Sequence, residues 1–78
     1  MANSTKDIFR YNLKYYRNIK NFTQEKLSEI SGISSDYLSE IERGKKTPGF
    51  KRIELIANAL GIDVYKLFKP SSNIKYFD

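Results

Sequence analysis

With 78 residues, 40% of them hydrophobic, the sequence holds enough apolar material for one core and one domain. It contains neither Cys nor His, which excludes a disulfide framework, a thiolate metal site and the usual general base, so no catalysis, metal or cofactor is expected. Fourteen Lys and Arg against nine Asp and Glu leave a net charge of +5, which suits a polyanionic partner.

Residues 1–5, MANST, are polar and read as a disordered start, with the ordered domain spanning residues 6–69. No apolar run follows a basic start, and no long uncharged apolar stretch occurs. Neither a secretory signal nor a membrane span is therefore expected, and a cytoplasmic protein is. From Lys6 to Lys20 a first helix is marked by Phe9, Leu13 and Tyr16 at i, i+4, i+7. Ile8, Tyr11, Tyr15 and Ile19 form a second stripe, part of it available for an interface. Asn21 and Phe22 break the pattern.

Thr23 then caps a second helix with Gln24 and Glu25 in its first turn, and Leu27 and Ile30 face inward. Gly32 supplies the left-handed stop and Ile33 anchors the turn. Ser34 caps a third helix, in which Leu38 and Ile41 form the inner stripe and Ser35, Asp36, Ser39, Glu40 and Arg43 the opposite face, until Gly44 ends it. Lys45 to Gly49 form a basic loop. In the fourth helix, Phe50 to Leu60, residues Phe50, Ile53, Ile56, Ala57 and Leu60 face inward and Gly61 closes it. Asp63 caps a short fifth helix whose Val64, Leu67 and Phe68 return to the core before Pro70. Residues 70–78 are a tail carrying Ile74, Tyr76 and Phe77.

Two short amphipathic helices joined around a glycine make a helix-turn-helix, a motif whose second helix lies in the DNA major groove. Charge is distributed unevenly about it. Lys6, Arg10, Lys14, Arg17 and Lys20 against Asp7 alone give residues 1–22 a net +4, whereas Asp36, Glu40 and Glu42 against Arg43 give residues 34–43 a net −2. Attraction to the phosphate backbone must come from the flanks, and base reading from neutral or acidic side chains.

From Phe9 to Phe68 the sequence resembles the phage repressor and Cro family, the Xre-like helix-turn-helix domains. The resemblance rests on Thr23-Gln24 with Leu27, Gly32-Ile33-Ser34, Leu38-Ser39-x-Ile41-Glu42-Arg43-Gly44, Pro48 and Ala57-x-Ala59-Leu60-Gly61-Ile62. It implies an all-α, five-helix, lambda-repressor-like domain with the motif in helices 2 and 3, binding double-stranded DNA as a homodimer. It also assigns base reading to Ser35, Asp36, Ser39 and Glu40, and phosphate contact to Gln24, Ser34, Tyr37, Arg43, Lys45 and Lys46. Arg17 and Glu42 match a structural ion pair between helices 1 and 3. Gly49 stands where the family usually has a capping Ser, and the acidic Asp36 and Glu40 stand where many relatives carry Arg, Gln, Ser or Thr.

Bland roles compete with several of these assignments. Asp36 serves either the helix dipole or a base, and Glu40 either an i, i+3 pair with Arg43 or a cytosine amino group. Ile74, Tyr76 and Phe77 either dock on their own domain, meet a second subunit or are the stub of a flexible tail, and dimer contact by these three with Phe68 is the expectation. The leading functional expectation is a transcriptional regulator acting as a homodimer on a pseudo-palindromic operator. The alternative is an antitoxin-like or restriction-modification controller protein of the same fold with autoregulatory DNA binding. With no ligand domain, a small-molecule effector is not expected.

Overall fold

In the computed structural model, which describes residues 4–76, the chain enters its first helix at Ser4, whose hydroxyl accepts from the Asp7 amide at 3.1 Å. Helix α1 covers Thr5–Ile19. The helix starts at Thr5, where Ser4 satisfies an amide that a helix start leaves bare. Helix α2 spans Gln24–Ser31, α3 Ser35–Glu42 and α4 Phe50–Leu60. Thr23 and Ser34 cap α2 and α3 through their hydroxyls, accepting from the amides of Lys26 at 3.0 Å and Tyr37 at 3.1 Å. In place of the expected fifth α-helix, Val64–Leu67 form one 3-10 turn, η1, and Asp63 makes no side-chain cap. Four residues before Phe68 and Pro70 leave no length for an α-helix to propagate.

Each α-helix stops at a left-handed residue: Asn21, Gly32, Gly44 and Gly61. After α1, α3 and α4 the stop is a Schellman turn. Following α3, for example, the Gly44 amide donates to the Ile41 carbonyl at 3.0 Å and the Lys45 amide to the Glu40 carbonyl at 2.8 Å.

The core gathers Leu13, Leu27, Leu38, Ile56, Leu60 and Leu67 from all five elements, each fully buried. Helix α2 lies against α3 and α4, while α1 closes the other side against α3 and η1. Three residues expected inside are exposed: Ile30 at 46%, Phe50 at 86% and Val64 at 38%. In α2 the buried line is Leu27 and Ser31 at i, i+4, and Ile30 falls outside it. Phe50 opens α4 beyond the edge of the core, where the buried Pro48 already closes the surface.

Asn12 is a fully buried polar residue among this apolar packing. Its amide nitrogen donates to the carbonyls of Lys66, Leu67 and Lys69 at 3.0, 3.1 and 3.0 Å, and its oxygen accepts from the Tyr76 hydroxyl at 2.6 Å. One side chain thereby fastens η1 and the tail to α1, answering carbonyls that a 3-10 turn leaves open. No helix among the described residues is long and apolar enough to cross a membrane.

Candidate nucleic-acid interface

Capping by Ser34 and burial of Leu38 and Ile41 fix the rotation of α3 about its axis. Ser35, Asp36, Ser39 and Glu40 consequently share its outer side, and none makes a side-chain hydrogen bond or ion pair among the described residues. The competing i, i+3 pair between Glu40 and Arg43 is not formed. A carboxylate beside a free serine, on a helix turned to solvent, is a hydrogen-bond acceptor without an intramolecular role.

The other end of α3 is heavily held. Arg17 donates through Nε and Nη2 to Glu42 Oε2 and Oε1 at 2.7 and 3.0 Å, while its Nη1 donates to the Phe22 carbonyl at 2.7 Å. Its side chain is 11% exposed and that of Glu42 6%, so this fork joins α1, the α1–α2 connection and α3 in a nearly dry site. Hydrogen bonding to Glu42 raises the Arg17 guanidinium above its already high ordinary value. Gln24 Nε2 donates to the same Glu42 Oε1 at 3.3 Å, leaving a second N–H for an external acceptor.

Sequence reasoning missed Arg10. It donates to Asp7 Oδ1 at 2.9 Å, to the Glu42 carbonyl at 3.2 Å and to the Tyr11 hydroxyl at 3.3 Å, with its guanidinium 4.3 Å from the Tyr11 ring centre. A cation is thus set on the negative end of the α3 dipole. The Arg10 hydrogen bond holds the Asp7 carboxyl below the usual carboxylate range. A β-carbon on Gly44 would stand 3.2 Å from Arg10 Nε, so the glycine serves both its left-handed turn and this close approach. The seven-residue spacing of Arg10 and Arg17 on one helix was the available signal.

Around α3 stand exposed Arg43, Lys45 and Lys46, none in an ion pair among the described residues. Lys51 and Arg52, also missed, open α4 without any acidic residue in that first turn. Cations there oppose the helix dipole, a local expense that a nearby polyanion would reverse, and this is the signal by which they are found. The Arg52 guanidinium lies 4.6 Å from the Tyr37 ring centre. Tyr37, Arg52, Ser34 and Gly49 border an open groove of about 500 Å³ between the starts of α3 and α4.

The residues expected at a dimer contact are partly engaged within the chain. Phe68 stacks on Phe9 with ring centres 5.3 Å apart, and Tyr76 meets Tyr11 edge-on at 6.1 Å while its hydroxyl accepts from the Ser71 amide at 2.9 Å and donates to Asn12. The tail docks where the α1 stripe and the polar Asn12 offer a site. Ile74 is half-buried, and Phe77 lies outside the described residues.

Residues 13–67 match the helix-turn-helix family. The chain belongs to that family. It is 39% identical over 62 residues to the control protein C.SmaI of Serratia marcescens, covering 80% of this chain and 74% of that one. The restriction-modification controller protein C.AhdI of Aeromonas hydrophila superposes with a TM-score of 0.78 at 32% identity, over 81% of this chain and 96% of that one. The immunity repressor protein of Bacillus phage phi105 is 35% identical over 81% of this chain, which spans only 44% of the repressor.

Proposed function

We propose that this helix-turn-helix chain is a transcriptional regulator that binds a pseudo-palindromic operator as a homodimer, with α2 and α3 as the motif and α3 in the major groove. The observation that carries this reading is the contrast on α3: Ser35, Asp36, Ser39 and Glu40 are without side-chain partners, while the helix is clamped from behind by Arg17, Arg10 and Gln24. A rigid helix with an unspent polar face suits recognition of base edges. Gln24, Ser34, Tyr37, Arg43, Lys45 and Lys46, joined by Lys51 and Arg52, hold the phosphates on either side. Phosphate contacts fix the register and base contacts give selectivity.

Two recognition helices must face one side of the duplex, so half-sites should lie about 34 Å apart. Exposed Val64 and Tyr65 on η1, with the half-buried Ile74 of the tail, supply the self-contact. The likeness to controller proteins from Serratia and Aeromonas favours a restriction-modification controller as the second reading. A neighbouring restriction-modification gene pair would select it, and an adjacent toxin gene an antitoxin role.

Selecting bound sites from random duplex DNA and titrating salt on the selected site tests the proposal. A dimer neutralising roughly 4 to 8 phosphates should show a log–log slope of about −4 to −7. A flat dependence would remove the DNA reading.

A further inference from the structure

Between the start of α1, the α3–α4 loop and η1 lies a cavity of about 210 Å³ that shares only Lys46 with the proposed groove contacts. Buried Phe9, Ile41, Pro48 and Ile53 make its floor, and Phe68, ring to ring with Phe9, forms a wall. Its mouth is different. Lys6 and Lys46 stand there, both exposed and neither in an ion pair among the described residues, beside Thr5 and Thr47. Arg10 also lines the cavity, with three of its five N–H groups given to Asp7, Tyr11 and the Glu42 carbonyl and its charge paired with Asp7.

Size and chemistry together narrow the occupant. Apolar cavities of roughly 150 Å³ stay dry and accept benzene, so this one has room for a single ring or a short chain and no partner for a buried polar group. Two uncommitted ammonium groups at the opening supply what an anionic end requires. We propose that the cavity is an effector site for a small apolar carboxylate, its ring or chain against the apolar lining of Phe9, Ile41, Ile53 and Phe68 and its carboxylate at the lysine-lined mouth. Lys46 would then serve two anions in turn. This coupling rests on the reading of Lys46 as a backbone contact: a carboxylate at its ammonium competes with phosphate, and ligand lowers DNA affinity.

Titrating the full chain with benzoate under NMR observation tests the site without DNA. Saturable shifts confined to Phe9, Ile41, Ile53, Phe68 and the mouth are expected. Acetate, lacking the ring, and benzyl alcohol, lacking the charge, should each bind more weakly, and Lys46→Met should weaken benzoate about three- to fivefold while far-UV circular dichroism shows the fold retained. Scattered or unsaturable shifts, equal binding of benzyl alcohol, or indifference to both Lys46→Met and Lys6→Met would overturn the proposal. So would NOEs from Met1 to Phe9 and Phe68 in the free protein, which would show the chain's own start in the cavity. A parallel anisotropy titration of the selected operator separates the two readings: if benzoate saturates the cavity while Lys46→Ala leaves DNA affinity unchanged, the ligand site stands and the backbone role of Lys46 falls.

Discussion

The two ends of α3 are built oppositely. From Ser35 to Glu40 the outer side chains make no hydrogen bond or ion pair within the described residues, whereas at Glu42 three side chains from α1 and α2 converge on one carboxylate and its carbonyl. The contrast teaches a division of labour along eleven ångströms or so of helix, about 1.5 Å per residue. Stability is concentrated where the helix ends, which leaves the residues turned to solvent free to be chosen for a partner.

Breaking the held end should have the largest effect. Arg17→Ala or Glu42→Ala strands its partner in a nearly dry site, and such losses run about 3 to 5 kcal/mol, less with water entry. The double replacement should be milder than the sum of the singles, and denaturant melts of the four proteins in a cycle measure this. Additive, sub-kcal effects would mean that the fork adds nothing beyond two solvated charges.

Next in size is Gly44→Ala. Left-handed backbone costs a non-glycine residue about 1 to 2 kcal/mol, and here the new methyl also presses on Arg10. Gly32→Ala provides the control, since its φ is the same +79° and a β-carbon there meets nothing within 4 Å. A larger loss of thermal stability at Gly44 than at Gly32 isolates the contact with Arg10.

A smaller effect is expected on acidification. Because Arg10 lowers the Asp7 pKa in the folded chain, the contribution of Asp7 is complete above the ordinary value near 3.8 and is lost as pH falls through the depressed one. NMR titration should find Asp7 below ordinary carboxylates, and Asp7→Asn should flatten the acid limb of the stability curve slightly.

The same contrast shows what the sequence made legible. Local signals spoke clearly: Thr23 and Ser34 at helix starts, Gly32, Gly44 and Gly61 at stops, and the inward stripe of Leu38 and Ile41. Each depends on one residue's own geometry or on neighbours within a turn. Periodicity was less dependable at element ends, where Ile30 and Phe50 fit an apolar spacing but lie past the rim of the core. Long-range polar contacts were hardest to read. Nothing near Asn12 announces that it will answer three carbonyls more than fifty residues away, and Arg10 looked like one more solvated cation until Gly44 was seen against it. Arg17 and Glu42 were found only through a family resemblance, since 25 residues separate them.

The free end of α3 should contribute least to stability, with Glu40→Ala within about 0.5 kcal/mol of the parent, and it is there that the DNA reading is most directly exposed. A carboxylate near phosphate is repelled, so Glu40 makes sense at this surface only if it accepts from a base or discriminates against others. Affinities of Glu40→Ala and Lys46→Ala should be measured side by side on the selected operator and on scrambled duplex. Loss of about 1 to 3 kcal/mol of preference at one base pair per half-site, with binding to scrambled DNA kept or raised, is expected of Glu40→Ala; Lys46→Ala should weaken both duplexes alike. An equal change on every sequence for Glu40→Ala would contradict the assignment of base reading to this residue.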